Sequence, residues 1–160
     1  MFTGWDIFVT AIATSITAAV AIMLYLLNKP RVKLISVEPI HWFYIYEGGT
    51  KKTGAGITTT LKVKNNGGVD TFCEAKFETK NHEVFIAKEF EVGKNGAVFE
   101  GYVALYTPKG GNLPNQEEPL EGILSLTPWG NRTFLIGRKT IKTTMTVPYD
   151  LSSKPKEVTQ

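Results

Sequence analysis

Residues 69–80 read VDTFCEAKFETK, and their alternation decides the fold class. Val69, Thr71, Cys73, Ala75 and Phe77 fall on one face of an extended chain, while Asp70, Glu74, Lys76 and Glu78 fall on the other. Successive side chains of a strand point to opposite faces, so this pattern predicts a strand with one face on a core and one in water. Cys73 then reads as a small core residue and not as a reactive thiol. It is the single cysteine among 160 residues, so no intrachain disulfide can form and the fold must hold by packing. Just upstream, Asn65-Asn66-Gly67-Gly68 supplies residues that tolerate positive φ, which predicts a tight turn between paired strands.

Outward from this stretch, strand-like runs recur at 32–37, 41–46, 57–64, 84–92, 97–106, 122–127, 133–136 and 140–147, separated by Gly, Asn and Pro. No helical period shows after residue 32. The expectation is a mainly β fold: an N-terminal transmembrane helix followed by a β-sandwich, with a barrel as the alternative. LKVKNNGGVDTFCEAKF, residues 61–77, resembles the second and third strands of immunoglobulin-like domains in cell-surface and adhesion-type proteins. That resemblance implies an immunoglobulin-like sandwich over 34–150. The cysteine pair and buried tryptophan of antibody domains are absent as a set, so it carries no function across. An apolar anchor before such a body also resembles the membrane-bound, sandwich-bearing subunits of archaeal surface filaments, although the charged prepilin-type cleavage site of many such subunits is not visible.

The anchor is IFVTAIATSITAAVAIMLYLL, residues 7–27, which carries no charge. At about 1.5 Å per residue its length matches the roughly 30 Å hydrocarbon layer of a bilayer. Trp5 and Tyr25 lie near its two ends, where aromatic rings favour the membrane–water boundary. Ala19-Val20-Ala21 resembles a signal-cleavage site, but the start MFTGWD lacks a positive n-region. Residues 1–6 form a short tail, 7–27 the transmembrane helix, 28–33 a basic linker, 34–150 the β domain and 151–160 a polar tail. At 100° per residue, Thr10, Ala11, Thr14, Thr17, Ala18 and Ala21 gather on one side of the helix. Small residues let helix backbones approach and Thr hydroxyls can bond across, so this side is expected to pack on another transmembrane protein or a second copy.

Net charge is +3, with Lys29, Arg31 and Lys33 immediately after the helix. The positive-inside tendency places the β domain in the cytoplasm. The Thr-rich composition and the sequon Asn131-Arg132-Thr133, a possible glycosylation site, suit the opposite side. Elsewhere Lys and Glu are interspersed, which gives nucleic-acid binding no support.

Motifs for chemistry are thin. GGTKKTGAG, residues 48–56, has the glycine separation of a phosphate loop but not the Lys-Ser/Thr that must follow, so a flexible hairpin loop carrying Lys51 and Lys52 is expected. His41 and His82 are the only histidines, and neither has a second ligand at a metal spacing; no metal or other cofactor is expected. Glu117, Glu118 and Glu121 sit in or beside the polar loop TPKGGNLPNQEEPL and read as solvated. IHWFYIY, residues 40–46, is apolar on both faces. It is either a strand covered on both sides or a contact strand in which Trp42, Phe43, Tyr44 and Tyr46 meet a partner. These readings converge on a non-enzymatic, single-pass membrane protein, an assembly or binding subunit of a larger membrane complex with lipid and a transmembrane protein as partners and no small-molecule substrate. The alternative is a surface-appendage or envelope-attachment subunit with the sandwich outside the cell.

Overall fold

The computed structural model describes residues 4–27, 29–129 and 139–153. Helix α1 (Gly4–Leu27) is followed by strands β1 (Val32–Glu47), β2 (Lys51–Asn65), β3 (Thr71–Thr79), β4 (Val84–Ala87), β5 (Phe90–Val92), β6 (Ala97–Tyr106), β7 (Leu120–Trp129) and β8 (Ile141–Val147). A short 3-10 turn, Leu151–Ser153, ends the described chain. The expected strand at 133–136 and the sequon at Asn131 lie outside the described residues.

α1 runs on without Gly or Pro after its first residue, and Pro30, which has no amide hydrogen to donate, stands just beyond its end. Among the described residues it is the one helix long and apolar enough to cross a membrane, and none of its apolar window is buried against the rest of the chain. Its polar groups look after themselves. The hydroxyls of Thr14, Ser15 and Thr17 donate to the carbonyls of Thr10, Ala11 and Ala13 at 2.8, 2.9 and 2.8 Å. These donors are spent one turn back and not held out toward a neighbouring helix.

The strands form one curled antiparallel sheet in the order β1-β2-β6-β4-β3-β7-β8, with β5 also paired to β3. Two broad ladders, β1-β2-β6 and β3-β7-β8, are joined by β4, which matches β3 over three positions and β6 over two. The expected β-rich body is thus present as one continuous hydrogen-bonded sheet. The edge strands then meet: the Trp42 amide donates to Pro148 O and the Asp150 amide to Trp42 O, both at 2.8 Å. Seven strands lie on this path, so strict alternation of direction cannot close it, and the contact between Trp42 and Tyr149 is parallel.

One core fills the curl. Leu61 and Val63 of β2, Cys73, Ala75 and Phe77 of β3, Leu105 of β6, Leu124 and Leu126 of β7 and Val147 of β8 are all fully buried. The alternation in 69–80 holds from Thr71 through Thr79, with Phe72 on the outer face. The NNGG turn does not. β2 and β3 do not pair, so residues 65–70 make a corner between the two ladders, and neither Gly67 nor Gly68 has positive φ. The runs 32–37 and 41–46 are one strand, irregular near Ile35 and Ile40, whereas 84–92 is split at Lys88 and Glu89.

Candidate functional site

The aromatic strand divides by pleat. Trp42 and Tyr44 are buried, edge-to-face at 5.0 Å, with the Tyr149 ring 4.7 Å from Trp42. Their polar tips reach the long loop between β6 and β7: Trp42 Nε1 donates to Glu118 O at 2.8 Å, and Tyr44 Oη to Pro114 O at 2.6 Å. The Lys52 ammonium lies 3.6 Å from the centre of the Tyr44 ring. Burial, followed by the nearby Tyr149 and Glu117, pushes the Tyr44 phenol up to about 12. Trp42 and Tyr44 thus pin a loop from inside and offer no contact surface. Of the four aromatics expected to meet a partner, Phe43 retains accessible area because it lies on the outward side, and Tyr46, on the inward side, does so at the strand's irregular end.

The outward side carries a feature that the sequence did not single out. Phe43 pairs with Gly56, Gly56 with Tyr106, and Tyr106 with Ile86, which makes a row across β1, β2, β6 and β4. A Cβ on Gly56 would sit 2.7 Å from the Phe43 ring, so the missing side chain is what lets that ring lie on the sheet. Ile45 beside Gly54 extends the row, and Tyr102, 80% exposed, stands four residues before Tyr106 on the same side of β6. Tyr106 and Ile86 are 47% and 38% exposed. The alternation of β6 could have revealed Tyr102 and Tyr106 as outward residues; their alignment with Phe43 depends on non-local pairing.

The end of the sheet nearest α1 is organised by Asn65, which is wholly buried. Its Oδ1 accepts from the amides of Gly67 at 2.9 Å and Arg31 at 3.3 Å, and its Nδ2 donates to Val69 O at 2.8 Å. A Cβ on Gly67 would lie 2.4 Å from Lys29 O, so glycine is required where the linker crosses the corner. The basic linker is therefore seated on the β body.

Other residues singled out from the sequence are dispersed. Cys73 faces the core, and burial pushes its thiol up to about 12. His41 lies 3.9 Å from Asp150 at the seam. His82 occupies the β3–β4 turn with φ 66°. Among the described residues, no three or more His, Cys, Asp or Glu converge as metal ligands. Glu118 is exposed, Glu117 is half-buried, and Glu121 pairs with Lys80, whose hydrogen bond and charge hold its carboxyl below the ordinary range. GGTKKTGAG is mostly strand, with a turn confined to residues 48–50. A polar cleft of about 610 Å³ lies beneath the long loop, lined by carboxamides including Asn81, Asn112 and Asn115 together with Glu83. The Glu83 carboxylate accepts a hydrogen bond from the Thr79 hydroxyl and is committed to its own turn. Trp129 is the last residue of β7, opposite Phe72.

This arrangement offers a seated linker, an outward apolar row and an unburied apolar helix. Comparison with protein-family models and with curated proteins finds no match to the chain.

Proposed function

We propose that this chain is a non-enzymatic single-pass membrane protein whose β body serves as a binding or assembly subunit of a larger membrane complex. The observation that carries this reading is the state of α1. Eleven large apolar side chains, from Trp5 to Leu26, are between 45 and 76% exposed. The largest apolar patch on an ordinary soluble monomer is roughly 300–600 Å²; an entire bare apolar helix exceeds that, and none of its apolar window is buried by the other described residues. A bilayer would cover it. The back-bonded hydroxyls of Thr14, Ser15 and Thr17 support the same reading, since a polar group in hydrocarbon must be satisfied from within.

In this reading Lys29, Arg31 and Lys33 hold the β body on the cytoplasmic side. The face bearing Thr10, Ala11, Thr14, Thr17, Ala18 and Ala21 packs on a transmembrane partner by close backbone approach. The row Phe43, Tyr106 and Ile86, with Tyr102, supplies the contact outside the bilayer, in keeping with the weight of aromatics at interfaces. The test is a photo-crosslinking amino acid placed at Tyr102 in the full-length membrane protein, with Glu74, on the outer face of the other ladder, as control. A discrete adduct from position 102 and none from 74 supports the reading. Equal or absent adducts at both positions refute the contact face, and recovery of the chain from the soluble fraction refutes the anchor.

A further inference from the structure

Resting on the membrane reading above, we infer that the helix-proximal end of the β body is a headgroup-binding face that takes the phosphates of anionic lipids. Segments far apart in sequence are tied together there. The Asn66 amide donates to Arg31 O at 2.9 Å, the Asn95 amide to Gly67 O at 2.8 Å, and the Gly96 amide to Asn65 O at 2.7 Å. The linker, the β2–β3 corner and the β5–β6 turn are thereby held as one surface. That surface gathers Lys29, Arg31, Lys33, Lys64 and Lys94, all exposed except Lys64, which is half-buried.

Two details point to an anion. Lys33 and Lys64 are direct cross-strand partners, and like charges set opposite one another on a ladder oppose pairing unless a counter-charge sits between them. Among the described residues none of these five cations forms an ion pair, whereas Lys62 and Lys76 on the sheet and Lys80 in the turn after β3 each pair with a glutamate. The nearby acids do not cancel the cluster. Asp70, whose carboxylate accepts from the Lys94 amide at 2.9 Å, and Glu91, one rung in and opposite Phe72, are two charges against five.

The position selects a lipid as the source of phosphate. Leu27 and Val32 are five residues apart, so this end lies within about 17 Å of the end of α1. That distance is comparable with the headgroup layer plus one screening length of roughly 8 Å. Exposed Ile35, Val98 and Phe72 flank the cations, and mixed basic and apolar residues are the composition that settles at a membrane interface.

The experiment uses the full chain in vesicles of phosphatidylcholine alone or with phosphatidylglycerol. A membrane-permeant acylating reagent is followed by peptide mass spectrometry. Lys33, Lys64 and Lys94 should label roughly three- to tenfold more slowly with phosphatidylglycerol, and high salt should restore their rate. Lys51 and Lys109, exposed at the opposite end, should not change. A chain that floats with the vesicles but labels alike in both lipids overturns the headgroup face alone, as does equal slowing at the two ends. A chain that does not float overturns the anchor and this inference with it.

Discussion

Replacing Asn65 by alanine tests whether one buried side chain holds the linker to the β body. The substitution strands the buried Gly67 amide, which Asn65 engages at 2.9 Å, and leaves the part-buried Val69 carbonyl, engaged at 2.8 Å, with only a long 3.5 Å contact from the Thr71 hydroxyl. A buried group left without its partner costs about 1–3 kcal/mol. The contact to the Arg31 amide is longer, 3.3 Å, and adds less. The sum is about 3–4 kcal/mol, a large part of the roughly 5–15 kcal/mol that holds a domain folded. For a body of this size that corresponds to a fall in Tm of about 10 °C, measured by tryptophan fluorescence in mild detergent. Hydrogen exchange supplies the local readout: the Arg31, Asn66 and Gly67 amides should lose protection well before those of β3 and β7. A fall under about 3 °C, with unchanged exchange at those three amides, would refute the reasoning.

Three further outcomes follow from the same structure. Cys73, with its thiol pushed up to about 12 by burial, should resist maleimide at pH 8 in the folded chain and react once denatured; stoichiometric labelling of the native protein would contradict its placement. The folded Tyr44 phenol is raised to about 12 from an ordinary 10.0, and the Cys73 thiol to about 12 from 9.0. Their neutral forms favour the folded state, so this contribution is complete below about pH 9 and lost as pH rises through about 12. Denaturant midpoints should fall across that window, and Tyr44→Phe should flatten part of the fall while lowering stability at pH 8, where its hydrogen bond to Pro114 O is lost. Ala18→Leu adds bulk to the small-residue face of α1 and should weaken co-purification with a transmembrane partner in detergent; Ile16→Leu, matched in size, should not.

Much of the β body was legible because alternation is local. Thr71, Cys73, Ala75 and Phe77 turned inward as their spacing required, and Ala97–Tyr106 forms a strand with the expected ends. Pairing is not local, and that is where reading failed. Asn65 looks like an ordinary turn residue, yet its work is done by amide contacts to Arg31, Gly67 and Val69, one of them 34 residues away. Residues 40–46 were ambiguous because period 2 identifies two faces without saying which is inside. The answer lay in the loop carbonyls of Pro114 and Glu118, which take up the Tyr44 and Trp42 donors about 70 residues downstream. The outward row needed three registers at once, β1 on β2, β2 on β6 and β6 on β4.

The parallel seam gives the end of the chain an office that its composition does not announce. Pro148 and Asp150 occupy backbone groups of Trp42 that would otherwise face open space. Shortening the protein before these residues would uncover the rim of a long strand, and bare strand rims recruit copies of themselves. Residues 148–150, just after β8, thus act as a stopper against chain-to-chain zippering. Under the proposed anchoring, which would confine the molecule to two dimensions where neighbours meet often, such a stopper keeps recognition to the proposed contact face.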